Sequence, residues 1–242
     1  SSHTVGPMCA AQAFASSLEE SGAVSRVGRI RVVLYGSLSL TGLGHGTDRA
    51  ILAGLEGNVP ATVDTDYLLS VRERCAHDGT IHVNGTNAIA YDDDGDMVFD
   101  RWKRLAPHPN GMRFQAFDAQ GNIIDEQVWY SIGGGFIRRG RIDDALISNH
   151  EQTPASSQSP EDSGNDEAAE YGDGVPYPFV SCDGLIDLCR KHHLSIADVV
   201  WANETARRSP QEVRDRLTRI WNVMSHCIDA GCASATPTLP GG

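Results

Sequence analysis

Leu34 to Ala50 reads LYGSLSLTGLGHGTDRA. An apolar, β-branched run from Arg29 to Tyr35 enters it as a strand. A glycine-rich loop follows, and a helix is expected from Asp48. His45 sits between two glycines, which let a backbone turn sharply or pass close to a ligand. An imidazole has an ordinary pKa near neutrality, so His45 is a candidate base. Thr47 can cap the helix that starts at Asp48, which leaves free N–H groups where an anion could dock. Gly46 and Thr47 are therefore candidate carboxylate-binding residues. The plain alternative is a glycine-rich turn with a surface histidine.

The bulk numbers narrow the field. A chain of 242 residues with 40% apolar content can build one large domain or two small ones around a real core. A net charge of −12 argues against nucleic acid or an anionic membrane surface as partner, since both want clustered Lys and Arg. No apolar run reaches the roughly 20 residues of a membrane helix. The opening residues lack the basic start and apolar block of a signal peptide, so a cytoplasmic chain is expected, with an organelle matrix left open. The six cysteines form no CxxC pair, and their spacing fits neither a disulfide scaffold nor the common zinc patterns. Buried or surface thiols are the simpler reading.

Taken in order, the chain opens SSHTVGPM. Ser1, Ser2, His3 and Thr4 gather small donors beside a histidine, and Pro7 suits the first turn of a helix running from Met8 to Glu20. Polar groups at a helix start suggest an anion site; a capping segment is the alternative. A helix to Leu55 stops at Gly57, and a second is expected from Val63 to Ala76. Short strands at Thr80–Val83 and Ala88–Tyr91 flank an Asn84-Gly85 turn. Asp92 to Asp96 has the composition of a calcium loop without its ligand spacing, so an acidic turn is expected. His108-Pro109-Asn110-Gly111 forms a tight turn, and a hairpin joins Met112–Phe117 to Ile123–Ser131. Gly133 to Gly135 allow close approach to a ligand, but neither GxGxxG nor a Walker lysine is present. Residues 150–174 turn acidic and rich in Ser and Pro, as in a disordered linker or insert. An extended VPYPF and helices at Cys182–His192, Ser195–Arg207 and Ser209–Gly231 follow, with Trp201, Trp221 and Met224 expected in a core.

SSHTVGPM, LYGSLSLTGLGHGTDRAILAGLEG, HPNGM, SIGGGFI, VPYPF, RIWNVMSHCI and LPGG occur in this order. Together they resemble the iron–sulfur L-serine dehydratases, the bacterial L-serine ammonia-lyases. The resemblance covers nearly the whole chain except the acidic stretch. It implies an α+β fold: residues 1–149 as a β domain and 175–242 as the helical start of an α domain, on either side of the acidic linker or insert at 150–174. The β domain is implied to look like the allosteric substrate-binding domain of some phosphoglycerate dehydrogenases. Family members begin several residues earlier and continue well beyond LPGG, so the chain is expected to be a fragment, inactive alone.

The resemblance also implies chemistry. L-Serine would become pyruvate and ammonia in serine degradation that feeds gluconeogenesis, with a [4Fe–4S] cluster and without pyridoxal phosphate. The cluster cysteines are implied to lie beyond Gly242, so no metal ligand is expected within this chain. His45 takes the role of catalytic base, with His108 as a second acid–base or orienting group and Asn110 as a substrate hydrogen-bond partner. Ser1, Ser2, His3 and Thr4 match the substrate-cradling opening. The remaining α domain and a second copy in a homodimer are the implied partners. A β domain that senses serine or another small acid without catalysis is the alternative.

Overall fold

A computed structural model of the chain describes residues 1–149 and 174–235. They fall into two compact units, with 1–149 in the first and 174–235 in the second. The expected linker, apart from Gly174, and the LPGG end lie outside the described residues.

In the first unit α1 is Val5–Glu20, β1 is Arg29–Tyr35, α2 is Gly36–Thr41 and α3 is Thr47–Leu55. Next come α4 at Thr65–Asp78, β2 at Thr80–Val83 and β3 at Asn87–Ala90. The short helix α5, Asp93–Asp96, precedes β4 at Met97–Asp100 and β5 at Lys103–Leu105. Then follow β6 at Gly111–Phe117, β7 at Ile123–Gly133, β8 at Phe136–Arg139 and β9 at Leu146–Ser148. The expected α+β class is what the chain adopts.

The main sheet runs β2-β3-β1-β6-β7-β8, with β4 also paired to β1. β1 is parallel to β3 at Arg29 and to β4 from Val32 to Tyr35, and antiparallel to β6. β5 and β9 form a separate two-stranded sheet. Side chains alternate along a strand, so β1 serves two cores at once. Ile30, Val32 and Leu34 pack with Phe14 and Leu18 of α1, Ile51 and Leu52 of α3, and Phe114 of β6. Val33 and Tyr35 face the opposite way, onto Leu105, Val128 and Tyr130. Full burial of one Leu or Phe contributes about 1.5–3 kcal/mol, so the helix-covered face dominates the unit's stability. Gly54 lets α1 and α3 touch: a Cβ there would lie 2.4 Å from the Met8 carbonyl oxygen.

Several local expectations change. The glycine-rich loop is mostly helical, as α2 and a 3-10 turn at Gly42–His45. The helix expected from Val63 begins at Thr65, because Asp64 caps it by accepting from the Tyr67 N–H at 2.9 Å. The acidic turn is a short helix whose Asp96 is buried against Arg29. The triple glycine is the tight turn between β7 and β8. Strands β4, β5, β8 and β9 go beyond the sequence reading, since strands this short show no clear period and only β2 and β3 carry an Asn-Gly turn that marks them.

The second unit has three helices among the described residues: α6 at Cys182–His192, α7 at Ile196–Arg207 and α8 at Pro210–Ala233. Ser181, Ser195 and Ser209 cap them, each accepting a first-turn N–H. The VPYPF segment is pinned to α7, since the Tyr177 N–H donates to Asn203 Oδ1 and Asn203 Nδ2 donates back to the Tyr177 carbonyl. The expected core positions are corrected here. Trp221 is 61% exposed and Met224 is 53% exposed, because the apolar stripe of α8 outruns its neighbours and only Val213 is buried. Trp201 is half-buried, with the Arg214 guanidinium 5.0 Å from its ring centre. No helix among the described residues is long and apolar enough to cross a membrane.

Candidate active site

The end of β1 organises the site. At Gly36 the backbone takes φ +56°, and a Cβ would lie 2.3 Å from the Pro109 carbonyl oxygen. Only glycine fits that turn. It aims Ser37 at two other segments. The Ser37 N–H donates to the Pro109 carbonyl at 2.9 Å, and its hydroxyl shares a 3.0 Å hydrogen bond with His3 Nε2. On the other side of the ring, His3 Nδ1 shares a 3.0 Å bond with the Ser2 hydroxyl.

His45 closes the 3-10 turn and is exposed. The Thr4 hydroxyl donates to its carbonyl at 2.9 Å, which fastens the N-terminal segment to this turn. The rings of His3 and His45 meet edge to face with centroids 5.1 Å apart. Burial lowers the pKa of His3 below its ordinary value; the nearby His45 adds to this, and the Ser37 bond opposes it. His3 is thus biased toward the neutral form, with one donor and one acceptor nitrogen.

Thr47 departs from its expected role. Gly46, in the left-handed region, is the N-cap of α3, and no side chain caps the helix. Thr47 is fully buried, and its hydroxyl donates to the His3 carbonyl. The reason is tertiary: α1 brings that carbonyl to the helix start, where water or an anion was expected.

The HPNG turn forms the adjoining part. His108 Nδ1 accepts from the Asn110 N–H at 3.0 Å, so in the neutral ring Nε2 carries the proton. Burial, and secondarily the Arg138 charge, lower the His108 pKa. Asn110 is clamped to β7: its Nδ2 donates to the Ser131 carbonyl at 3.1 Å, and the Ser131 N–H donates to its carbonyl at 3.0 Å. The Ser131 hydroxyl is buried against Gly6, without a hydrogen-bond partner among the described residues.

Ser2, His3, Thr4, His45 and Thr47 therefore share one bonded group. His108 and Asn110 join it through Pro109 and Ser37, Gly46 is the turn between His45 and Thr47, and Ser1 contributes its carbonyl to the Gly6 N–H at 3.0 Å. Ser37 and Ser131 were not singled out from the sequence. The signal for Ser37 was the glycine placed directly after a buried strand; nothing local marks Ser131.

Over residues 1–141 the chain matches the family described as serine dehydratase beta chain. It is 39% identical over 242 residues to an L-serine dehydratase of Streptomyces coelicolor, covering 100% of this chain and 49% of that protein. To L-serine dehydratase 1 of Escherichia coli it is 37% identical over 245 residues, covering 100% and 48%. An L-serine dehydratase of Mycobacterium tuberculosis is 35% identical over 243 residues, covering 100% and 47%. The chain belongs to the serine dehydratase β-chain family. It spans about half the length of the curated relatives it matches.

The [4Fe–4S] cluster implied by the resemblance finds no set of donors within the described residues of this chain. Among the described residues no group of three or more His, Cys, Asp or Glu could hold a metal ion. Cys75 is buried, Cys182, Cys227 and Cys232 are exposed, and Cys9 and Cys189 lie between. Burial raises the Cys9 pKa and pushes that of Cys75 up to about 11, away from the thiolate that iron needs. A [4Fe–4S] cluster gathers several thiolates at one place, so these cysteines do not fit it.

Proposed function

We propose that this chain is the base-bearing part of an L-serine ammonia-lyase. The observation that carries the reading is the meeting of His3 and His45 with the His108–Asn110 turn, in a chain of the serine dehydratase β-chain family. Dehydration of serine removes the Cα proton and the β-hydroxyl, which leave together as water. The resulting aminoacrylate becomes an imine, and hydrolysis yields pyruvate and ammonia. His45 accepts the Cα proton on its exposed ring, and His108 acts as the second acid–base or orienting group. Ser1, Ser2, His3, Thr4 and Gly46 frame the substrate, and Asn110 hydrogen-bonds to it. Thr47 contributes by holding the His3 carbonyl rather than by touching substrate.

The rest of the reading belongs to the whole protein. It includes a [4Fe–4S] cluster ligated outside this chain, no pyridoxal phosphate, a further α domain, a homodimer and a cytoplasmic location. The domain limits 1–149 and 175–242, and the likeness to the phosphoglycerate dehydrogenase domain, belong to the same reading.

The test is pyruvate formation from L-serine by the whole enzyme, prepared anaerobically. His45→Ala lowers kcat by about 10²–10⁴, the usual worth of a general acid–base group, and changes serine affinity much less. Near-normal turnover in that variant removes His45 from the mechanism and leaves His108 as base. A wild type that binds serine but forms no pyruvate supports the sensor alternative.

A further inference from the structure

We propose that Ser37 is a positioning residue that joins the two histidine-bearing turns into one site, acting through His3 and through the Pro109 carbonyl. The proposal rests on the lyase reading, since the groups it positions are those which that reading uses. Ser37 has two handles, and each holds a different segment. Its hydroxyl meets His3 Nε2 at 3.0 Å. Its N–H meets the Pro109 carbonyl at 2.9 Å, between His108 and Asn110. His3 in turn stands edge-on to His45 at 5.1 Å, and its carbonyl is held by the buried Thr47.

The backbone makes this placement firm. Gly36 has no room for a Cβ, and Ser37 lies two residues past the buried Tyr35 of β1. The Ser37 main chain is therefore set by the sheet and by Pro109, and its side chain by His3. A neutral imidazole presents one donor and one acceptor nitrogen, whereas a hydroxyl can do either. Ser2 and Ser37 bracket the two ring nitrogens and hold the ring in either tautomer. Alanine at 37 keeps the bond to Pro109 and loses the bond to His3. Threonine keeps both. The two variants separate the side-chain function from the backbone one.

The experiment compares wild type, Ser37→Ala and Ser37→Thr in the whole enzyme. Measured are kcat, KM, the thermal midpoint and the imidazole ¹⁵N signals of His3. A small displacement next to the chemistry is worth up to about a hundredfold in rate, and the expected loss for Ser37→Ala is about tenfold in kcat. KM stays within about twofold, because the loss falls on the reacting geometry rather than on binding. The midpoint is unchanged, the His3 signals shift, and Ser37→Thr restores most of the rate. Wild-type kcat in Ser37→Ala overturns the proposal. So does a loss that tracks a fall in midpoint and is not restored by threonine, which is the mark of a purely structural serine. If the wild type forms no pyruvate, the lyase reading fails by itself, and the His3 signals decide. A shift in Ser37→Ala keeps Ser37 as the positioner of a site for another substrate, and unchanged signals remove it.

Discussion

Thr47 is buried and its hydroxyl donates to the part-buried His3 carbonyl, so its removal leaves that carbonyl without this donor. That situation costs about 1–3 kcal/mol, more than the net gain from making an ordinary hydrogen bond. Thr47→Val is therefore expected to lower the unfolding free energy from urea melts by that amount and Thr47→Ser to keep most of it; equal unfolding free energies for Val and wild type would show that the bond contributes nothing. His3 and His108 make a second residue-scale prediction. Both have pKa values pushed below the ordinary 6.5 by burial. Between the folded value and 6.5 the unfolded chain binds more protons, so stability rises with pH. It is fully present above about pH 6.5, is lost as pH falls through the folded values, and levels off below them. Urea melts between about pH 7.5 and about pH 5 should show this loss, and a His3→Asn, His108→Asn double variant should show a shallower one. A slope unaltered in the double variant would clear both histidines.

At the scale of elements, one arginine ties three segments. Arg72 of α4 pairs with Asp48 at the start of α3 and with Asp93 of α5, while the Tyr91 hydroxyl donates to Asp93. The Asp48 side chain is 4% exposed, and its Oδ1 has no hydrogen-bond partner. Arg72→Met strands that carboxylate, and loss of one partner of a buried pair costs about 3–5 kcal/mol. Asp93 is 25% exposed, so Asp93→Ala should cost distinctly less. Chemical denaturation of both variants tests the order, and the reverse order would place the weight on α5 instead. Gly54→Ala sets two effects against each other. Alanine gains about 1 kcal/mol of helix propensity, but its Cβ would lie 2.4 Å from the Met8 carbonyl and 2.9 Å from the Ala11 side chain. Overpacking of this kind costs about 1–3 kcal/mol, so the variant is expected to be less stable than wild type. A rise in thermal midpoint would mean that α1 and α3 can move apart freely.

At the scale of the molecule, the second unit leaves Leu217, Ile220, Trp221, Met224 and Ile228 exposed along one helix. A contiguous apolar stripe marks a surface that meets another apolar surface, and self-association of this chain is the expected outcome. Trp221→Glu with Met224→Glu is expected to shift the chain toward monomer in sedimentation. At concentrations where both proteins are monomeric the thermal midpoint should hardly move, since substitutions of exposed side chains usually stay within about 0.5 kcal/mol. An unchanged oligomer distribution would show that the stripe is not the contact between copies.

Local chemistry made much of this chain legible from its residues. The strand at Arg29–Tyr35 coincides with β1, the Asn84-Gly85 turn falls between β2 and β3, and the caps at Ser181, Ser195 and Ser209 open the last helices. These features are set by side-chain period, turn geometry and capping, which act within a few residues. His3, His45, His108 and Asn110 were named as candidates mainly by the family-like motifs that hold them. What the tertiary structure decided is which groups meet. Thr47 is a clamp on His3 rather than a cap, because α1 delivers a carbonyl to it from 44 positions away. Ser37 reaches His3 across 34 positions, and Asn110 reaches Ser131 across 21. Such contacts follow from how β1, β6 and β7 are paired in the sheet and how α1 packs across it, and no local period or propensity encodes that pairing.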